Sequence, residues 1–389
     1  MRILHYIPSV RPEVGGPARA VTDLCRALAT RDHEVTLSTC DESGAAVVPS
    51  ADGKTNRLRH IQLPRLIPGA SVFSPAALRS VRNLIQGQDV VHVHGVWLPS
   101  NVQICNAARR LGVPYFISVR GMLDDWCMSQ KWFKKRLFLV TVGRRWLERA
   151  QCVHLTARGE LEQAKVNFPK GTGAVCPNLL DLAPYRDLPG PEMAQSKFPV
   201  LDNDHPSILF LSRIHEKKRL EALMQAMAIL RAEGMNVNLI VAGTGAPSYV
   251  EQMKSLPATL GLPHDVVSFV GQVIDELKLS LYQACDVLAL PTSQENFGFV
   301  FPEALACGTP VVTTKGVDIW EELQEHGGAL ILDADADSFA KGLRELVLDP
   351  ERLRTMGARG REWVFQWLDT DRLLDQFEAM YHGSGSTPA

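Results

Sequence analysis

The sequence predicts an α/β protein of two domains, each built on a parallel sheet that helices cover on both faces. The chain has 389 residues, which is more than a single hydrophobic core usually serves. Short apolar runs alternate with segments of helical periodicity over residues 2–156 and again over residues 207–332, as expected for doubly wound parallel sheets. Between these halves, at residues 187–206, the periodicity is lost and proline, glycine and polar residues accumulate.

The first half begins with a strand, at residues 2–7, and a loop that contains Gly15 and Gly16. Apolar residues then recur every three to four positions after Pro17, which indicates a helix with proline in its first turn. Further strands are predicted at 34–38, 89–94, 114–119 and 152–156. We assign residues 1–186 to the first domain.

The second half repeats this alternation. Strands are predicted at 207–211, 237–241, 266–270, 286–290, 310–313 and 329–332, with a helix over 220–230. We assign 187–206 to a linker, 207–360 to the second domain and 361–381 to a last helix. That helix has more apolar residues than one domain requires, so we expect it to cross back onto the first domain. A ligand of two such domains should lie in the cleft between them, outside the carboxyl ends of the strands.

Composition narrows the function classes. The formal net charge is −2, which gives no reason to expect a nucleic-acid partner. The eight cysteines include no C-x-x-C pair, as is typical of a reducing compartment without a zinc site. The apolar run at the amino terminus is too short for a signal peptide, and no apolar run approaches the length of a membrane span. These features predict a cytoplasmic protein.

The most informative segment is 293–307, where a predicted strand gives way to a helix. Glu295 and Glu303 lie eight positions apart around Gly298, and Gly308 is expected to end the helix. A strand, a glycine-containing loop and a helix start form an anion site, because unpaired N–H groups point at the ligand. Two carboxylates would repel a phosphate there unless they bind hydroxyl groups. The segment therefore predicts a nucleotide sugar as ligand.

The same segment resembles a known family. Glu295 to Glu303, together with Arg213-Ile-His-Glu-Lys-Lys218, resembles the donor-site signature of retaining glycosyltransferases of family 4, which have the GT-B fold. Three further segments fit that pattern: Gly15-Gly16-Pro-Ala-Arg-Ala, Pro177-Asn178 and Gly308-Thr-Pro-Val-Val312. The resemblance covers nearly the whole chain and implies transfer of a hexose-like unit to an acceptor hydroxyl, in exopolysaccharide, lipopolysaccharide or other glycan synthesis.

The resemblance also implies roles for individual residues. Arg213 and Lys218 would neutralise the diphosphate leaving group. Glu303 would accept hydrogen bonds from the ribose, and Glu295 from the donor sugar. The other donor-binding residues that it implies are Gly16, Val273, Phe297, Gly298, Phe299 and Val300. No metal or other cofactor is expected, because two cations and a helix start already offset the charge. Retention would follow from front-face attack, in which the leaving phosphate accepts the acceptor's proton.

Two positions depart from the family pattern. Arg120 replaces a histidine that many relatives carry after the fourth strand, and we place it among the catalytic residues. Arg219 follows Lys218 where a glycine is common, so it must accept a glycine-like conformation or the turn must differ. We assign four residues to the acceptor side, namely His94, Trp97, Asp124 and Asp125. His92 and His154 fit buried structural histidines better.

Other interpretations remain open. Residues 131–146 mix cations and aromatic residues; they fit either a surface helix whose Lys and Arg stems cover apolar area, or peripheral contact with anionic lipid on the inner face of the membrane. The second option suits a lipid-linked glycan acceptor. Asp333 and Asp337 could suggest a metal motif, but Asp337 fits a helix N-cap better. Rival functions are a sugar-nucleotide epimerase of the same fold and a non-catalytic nucleotide-binding subunit.

Overall fold

The computed structural model describes residues 1–11, 14–40, 57–64, 66–68, 70–263 and 266–383. The chain divides into two compact units. The first comprises Met1–Asp181 and Thr370–Ala389, and the second comprises Leu182–Asp369.

The first unit is built on a parallel sheet. Its described strands are β1 (Arg2–Tyr6), β2 (Glu34–Thr39), β3 (Leu58–Gln62), β4 (Val90–His94), β5 (Tyr115–Ser118), β6 (Cys152–Leu155) and β7 (Gly173–Val175). They pair in the order β3-β2-β1-β4-β5-β6-β7, every neighbour parallel. The five strands predicted in this half are confirmed within one residue at either end. β3 and β7 were not predicted, because neither has a long apolar run.

The second unit repeats the plan. Its described strands are β8 (Ser207–Leu211), β9 (Asn238–Ala242), β10 (Val267–Gly271), β11 (Val287–Ala289), β12 (Val311–Thr314) and β13 (Ala329–Leu332). They pair in the order β10-β9-β8-β11-β12-β13. In both sheets the order of the strands reverses at one point, which lies between β1 and β4 in the first unit and between β8 and β11 in the second. Ligands of such sheets bind beyond the carboxyl ends of the strands at that point.

Helices cover these sheets. In the first unit the described helices before its return segment are α1 (Gly16–Thr30), α2 (Pro75–Ile85), α3 (Pro99–Arg110), α4 (Asp125–Ser129), α5 (Trp132–Phe138), α6 (Arg144–Glu148) and α7 (Arg158–Lys165). A π-helical turn, Leu139–Gly143, joins α5 to α6. The second unit has α8 (Glu192–Lys197), α9 (Leu220–Ala232), α10 (Pro247–Thr259), α11 (Asp275–Ala284), α12 (Val300–Ala306), α13 (Trp320–Glu325), α14 (Ala336–Val347) and α15 (Pro350–Trp367). The chain then returns to the first unit as α16 (Thr370–Tyr381).

The central strands explain why the units are stable. All five residues of β4 and all five of β9 are buried, as expected for parallel strands with helices on both faces. Their side chains are mainly Val, Ile and Leu, which suit a pleated surface packed on both sides. Among the described residues, no helix combines the length and the apolar character that a membrane crossing requires.

The carboxy-terminal segment differs from the single helix expected over 361–381. Residues Trp363 and Trp367 end α15 within the second unit, where their rings stack 4.5 Å apart. Leu368 and Asp369 break the helix, and α16 then packs against α1 of the first unit. Arg31 fixes this contact by donating to Asp371 and Asp375 at 2.9 and 2.7 Å.

Two smaller expectations also need correction. The segment 187–206, expected to be a linker, contains α8, which packs against α11 of the second unit. Asp337 is not the N-cap of α14. Asp335 has that role, and its carboxylate accepts a hydrogen bond from Ser338 N at 2.8 Å.

Candidate active site

In the second unit, two loops meet at the point where the strand order of the sheet reverses, between β8 and β11. One loop follows β8 and carries Lys217 and Lys218; the other follows β11 and carries residues 292–299. Because β8 and β11 are parallel neighbours, their carboxyl ends place these loops side by side. The carbonyl of Lys217 joins them, accepting from Ser293 N at 2.8 Å and from Thr292 Oγ1 at 3.1 Å.

This junction brings Lys218 and Glu295 together. The Lys218 ammonium donates to Glu295 Oε2 in an ion pair, although Lys218 is only 8% exposed. The next residue, Arg219, has φ 51° and ψ 44° and precedes α9. This is the left-handed conformation usually given to glycine. Of the two alternatives expected for Arg219, a glycine-like conformation or a different turn, the structure has the first.

A third loop, after β12, fixes the backbone of Glu295. Glu295 N donates to Gly316 O at 2.8 Å, and Asp318 N donates to Glu295 O at 3.0 Å. Gly316 must be glycine, because an added Cβ would lie 2.6 Å from the Thr292 carbonyl oxygen. The Asp318 carboxylate also accepts from Asn296 Nδ2 at 2.9 Å. The Glu295 side chain is thus attached to a loop that three strands hold in place.

Glu303, in the first turn of α12, is 2% exposed. Lys278 Nζ lies 3.0 Å from its Oε2, and Tyr282 OH donates to the same oxygen at 3.2 Å. Lys278 and Tyr282 are four residues apart on α11, so both face Glu303 from one side of that helix. Burial, and secondly the charge of Glu303, raises the pKa of Tyr282 well above its ordinary value. The hydroxyl therefore stays protonated and donates to the carboxylate.

Gly298 shapes the loop between the two acids. Its φ is 60°, and an added Cβ would lie 2.5 Å from the Phe301 ring. Gly298 O accepts from Phe301 N at 2.9 Å, and α12 begins at Val300. The loop is also anchored to α15, because Phe297 is buried and stacks on Trp367 with ring centroids 5.6 Å apart.

Of the predicted donor residues, the structure brings Lys218 and Glu295 into direct contact. Lys218 contacts Glu295, whereas Glu303 has its own cation in Lys278. Arg213 is exposed and makes no ion pair with a described residue. Val273 is buried after β10, and Gly16 is the first residue of α1, with no described atom within 4 Å of an added Cβ.

In the first unit, Arg120 follows β5 and is 8% exposed. It too has a left-handed backbone, with φ 55°. Its guanidinium donates to Asn178 Oδ1 at 2.8 Å and to His94 Nδ1 at 3.4 Å. Burial lowers the pKa of Arg120 to about 10, so the group remains charged at neutral pH.

Four buried histidines surround this charge: His5, His92, His94 and His154. Burial lowers the pKa of His5 and of His154 to about 3. Burial, then the neighbouring histidines and Arg120, also lowers the pKa of His92 and His94 well below 6.5. All four are therefore neutral at pH 7, and each ring has one N–H donor and one acceptor nitrogen.

Neutral rings fix the direction of the hydrogen bonds in this cluster. The Cys176 carbonyl can only accept, so His154 Nε2–H donates to it at 2.8 Å, and His154 Nδ1 accepts from Ser118 Oγ at 2.7 Å. Ser118 Oγ then accepts from His92 Nε2–H at 2.8 Å, which leaves His92 Nδ1 to accept from Tyr381 OH at 2.8 Å. These hydrogen bonds form a continuous series from Tyr381 on α16 to the Cys176 carbonyl after β7.

The other branch begins at Arg120. Because His94 Nδ1 accepts from the guanidinium, His94 Nε2–H donates to His5 Nδ1 at 3.0 Å. His5 Nε2–H is then a buried donor with no partner among the described residues. His5, His92 and His94 also have nitrogens close enough to share a metal ion. The adjacent guanidinium opposes a cation there, and the rings already bond to one another and to Tyr381, Ser118 and Arg120.

The remaining acceptor-side residues lie near the start of α4. Asp124 is buried and caps this helix by accepting from Cys127 N, while Asp125 is exposed. Trp97 is half-buried; its Nε1 donates to Met122 O at 3.1 Å, and Lys135 Nζ lies 5.0 Å from the ring centroid. Their contact with an acceptor stays a prediction.

Residues 131–146, which we call the basic aromatic surface, are helical as expected through α5, the π-helical turn and α6. Several apolar side chains of this surface are not covered by their cationic neighbours, since Phe133 is 65% and Val140 75% exposed. Trp132, Leu137 and Val142 are exposed as well. The segment contains six Lys and Arg residues and no acidic residue.

Sequence comparison agrees with both halves of the structure. Residues 193–363 match the family described as "Glycosyl transferases group 1", and residues 15–178 match the "Glycosyl transferase 4-like domain". The chain belongs to the GT-B glycosyltransferases of family 4.

Individual relatives of this GT-B chain support the assignment. A D-inositol 3-phosphate glycosyltransferase of Kineococcus radiotolerans is 29% identical over 402 residues, which cover 94% of this chain and 91% of the relative. A GDP-mannose-dependent alpha-(1-6)-phosphatidylinositol monomannoside mannosyltransferase of Mycobacterium tuberculosis is 31% identical, covering 42% of this chain and 44% of the relative. Other curated relatives are matched over about half their length, 52% and 51% for two of them.

A solved structure shares the fold of this GT-B chain. Anabaena Alr3699/HepE in complex with UDP superposes with a TM-score of 0.78 at 19% identity, covering 98% of this chain and 100% of that chain. The expected fold class, two Rossmann-like parallel-sheet domains, is confirmed.

Several residues of the two sites were not predicted. The only sequence signal for the contacts of Lys278 and Tyr282 with Glu303 was their four-residue spacing on a helix. That spacing is too common to indicate a site. His5 lies in a short apolar strand, and the pattern of that strand does not predict its contact with His94. The contact of Asn178 with Arg120 joins residues 58 positions apart, and no local pattern records such a contact.

Proposed function

We propose that this chain is a retaining glycosyltransferase that moves a hexose-like unit from a nucleoside diphosphate to an acceptor hydroxyl. One observation supports this proposal most strongly. The Lys218–Glu295 pair lies at the point where the strand order of the second sheet reverses. Sheets of this type bind nucleotides at that point. Buried Glu303 follows on the next helix of the same loop.

In this proposal the side chains divide the donor between them. Lys218, with Arg213, stabilises the negative charge that develops on the diphosphate as it leaves. Glu295, already held by Lys218 and by the backbone of Gly316 and Asp318, accepts hydrogen bonds from the sugar hydroxyls. Glu303, charged beside Lys278, accepts from the ribose. The backbone N–H groups of Gly298, Phe299 and Val300 would cap the distal phosphate, and Gly16 stays a predicted donor-binding residue.

The transfer step conserves atoms and charge without a protein nucleophile. The bond between the sugar's anomeric carbon and the phosphate oxygen breaks, and its electrons stay on the diphosphate. The acceptor oxygen bonds to the anomeric carbon on the same face, and its proton passes to the leaving phosphate oxygen. Configuration is retained. The cations Arg213 and Lys218 supply the charge that a divalent metal supplies in other enzymes, so we propose that no metal is required.

The acceptor is proposed to be a glycan or a lipid-linked glycan. The basic aromatic surface supports contact with an anionic lipid surface. Its exposed rings Trp132 and Phe133 would enter the interface, while Lys131, Lys134 and Arg136 would meet acidic headgroups. The absence of any acidic residue from 131–146 favours an anionic surface as the partner over a cationic or neutral one. The chain would then act from the cytoplasmic side of a membrane.

Vesicle co-sedimentation tests the membrane contact. The full chain should bind phosphatidylglycerol-containing vesicles and not vesicles of phosphatidylcholine alone, and W132S/F133S should lose most of this binding. V166S is the matched control, because Val166 is an equally exposed apolar residue of the first unit, 74% exposed. Equal binding by all three proteins would contradict the proposal.

A donor screen tests the transferase proposal. The purified chain is incubated with UDP- and GDP-hexoses in EDTA, and release of the nucleoside diphosphate is followed, with the anomeric configuration of any product read by NMR. We expect one donor to be consumed in EDTA and the product to keep its configuration. Isomerised donor without an acceptor would indicate the epimerase instead, and binding without turnover would indicate the non-catalytic subunit. The true donor should also raise the melting temperature.

A further inference from the structure

Arg120 carries a buried positive charge that forms no ion pair with a described carboxylate. Its guanidinium donates to Asn178 and to His94, and both partners are neutral at pH 7. Glu160 is the acid that acts most strongly on it, yet the two form no ion pair. The Glu160 carboxylate instead accepts from Gly121 N at 2.5 Å and from Thr156 N at 2.6 Å.

Such an arrangement destabilises the unliganded protein. A buried charge without a direct ion-pair partner has lost its hydration and gained no contact with a group of opposite sign. The left-handed backbone of Arg120, with φ 55°, adds strain, because L-residues avoid this region. Strained, charged residues of this kind are concentrated where a ligand completes the site.

The donors of Arg120 that remain available define what that ligand must be. A guanidinium has five N–H groups. Nε, one N–H of Nη1 and one of Nη2 are directed at His94 and Asn178. One N–H on each terminal nitrogen is therefore without a partner among the described residues. Two such donors on one planar group match the paired oxygens of a phosphate or a carboxylate.

We propose that Arg120 binds an anionic oxygen pair, phosphate or carboxylate, of a substrate at the carboxyl end of β5. The His94–His5 hydrogen bonds and Asn178 hold the guanidinium in place for this ligand. The identity of the ligand as a substrate rests on the proposed function, whereas the anion site itself does not. The anion has two sources, the diphosphate of the donor or an acidic group on the acceptor. Arg213 and Lys218 already serve the diphosphate in the proposed function, which favours the acceptor.

The experiment measures anion binding by the full chain with and without Arg120. Inorganic phosphate is titrated into the wild type, R120M, R213M/K218M and the triple variant, and binding is read by calorimetry and by melting temperature. R213M/K218M removes the two cations that the proposed function assigns to the diphosphate, so the remaining difference on changing Arg120 reports the Arg120 site. We expect R213M/K218M to bind phosphate at least tenfold more tightly than the triple variant. Equal binding by these two proteins, or none by the wild type, would overturn the proposal.

Two further comparisons keep the result interpretable. Without ligand, R120M should melt no lower than the wild type, because the unpaired charge is gone; if R120M does not fold, R120Q takes its place. UDP and glucose 6-phosphate then distinguish the sources: R120M weakens UDP binding if the donor supplies the anion, and glucose 6-phosphate binding if the acceptor does. A wild type that binds phosphate through Arg120 but no nucleoside diphosphate would refute the proposed function and leave the anion site standing.

Discussion

In the second unit the buried side chains of Lys218 and Glu303 each belong to an ion pair, whereas the first unit surrounds the buried cation Arg120 with neutral histidines. In the second unit Lys218 faces Glu295 and Lys278 faces Glu303. In the first unit the Arg120 guanidinium donates to His94 and Asn178, its only hydrogen-bond partners among the described residues. Both sheets have the same order of strands around their reversal point, so the difference comes from side chains. Paired charges can exchange partners with hydroxyls and phosphates, while an unpaired charge requires a ligand of opposite sign.

The largest expected effect comes from breaking the Lys218–Glu295 pair. K218M removes a cation from the diphosphate, and E295Q removes the charge that orients the sugar. Loss of one such group typically costs about 10²- to 10³-fold in kcat, and we expect each variant to fall in that range. Donor turnover of both variants measures it. K341M is the control, since Lys341 is an exposed lysine on α14, and its rate should stay at the wild-type value.

The histidine cluster predicts acid sensitivity of the first unit. Burial lowers the pKa of His5 and His154 to about 3, so below pH 6.5 the unfolded chain binds more protons than the folded one. Their contribution to stability is complete above pH 6.5 and is lost as the pH falls toward 3. The loss is about 1.4 kcal/mol per pH unit for each histidine in that window.

Hydrogen exchange at pH 7.0 and pH 5.0, corrected for intrinsic rates, measures this difference unit by unit. Protection should fall at pH 5.0 in β1, β4 and β6. It should change less in the second unit, where the described histidines His205, His215 and His326 are exposed. A uniform loss of protection across both units would show that the cluster is not the cause.

A smaller effect is expected at Glu303. Y282F removes the hydroxyl that donates to its carboxylate at 3.2 Å, and a hydrogen bond to a charged group contributes about 1.5–3 kcal/mol. Lys278 still holds the carboxylate, so we expect the donor KM to rise about tenfold with kcat little changed. Y249F is the matched control, because Tyr249 OH donates to Glu221 at 3.1 Å on the surface. A fall in kcat at constant KM would contradict a ribose role for Glu303.

The smallest effect concerns Arg219. Its left-handed backbone costs about 1–2 kcal/mol for an L-residue, and glycine recovers this at an entropic cost of about 0.5–1 kcal/mol. R219G should therefore raise the free energy of unfolding by about 0.5 kcal/mol, measured by urea denaturation. R219A keeps the strain and loses the side chain, so it separates the backbone effect from the charge.

The sequence predicted the parts of this molecule that depend on local periodicity. The strand runs and the loop 293–307 follow from neighbouring residues, whereas the unusual conformation of Arg219 was one of two alternatives implied by the family resemblance. The short strands β3 and β7 lack an apolar run, and the break between α15 and α16 lies within continuous helical periodicity. The Glu303–Lys278–Tyr282 contact and the Arg120 cluster join distant positions. Their geometry depends on strand order, which a single sequence does not record.

Where a nucleoside diphosphate contacts the chain tests the central claim most directly. Hydrogen exchange of the full chain is compared with and without UDP, and with and without GDP. At least one nucleotide should protect the peptides that contain Lys218 and those that contain Glu295 to Glu303. Protection confined to other segments of the second unit, or to the first unit alone, would contradict the assignment of this loop pair as the donor site.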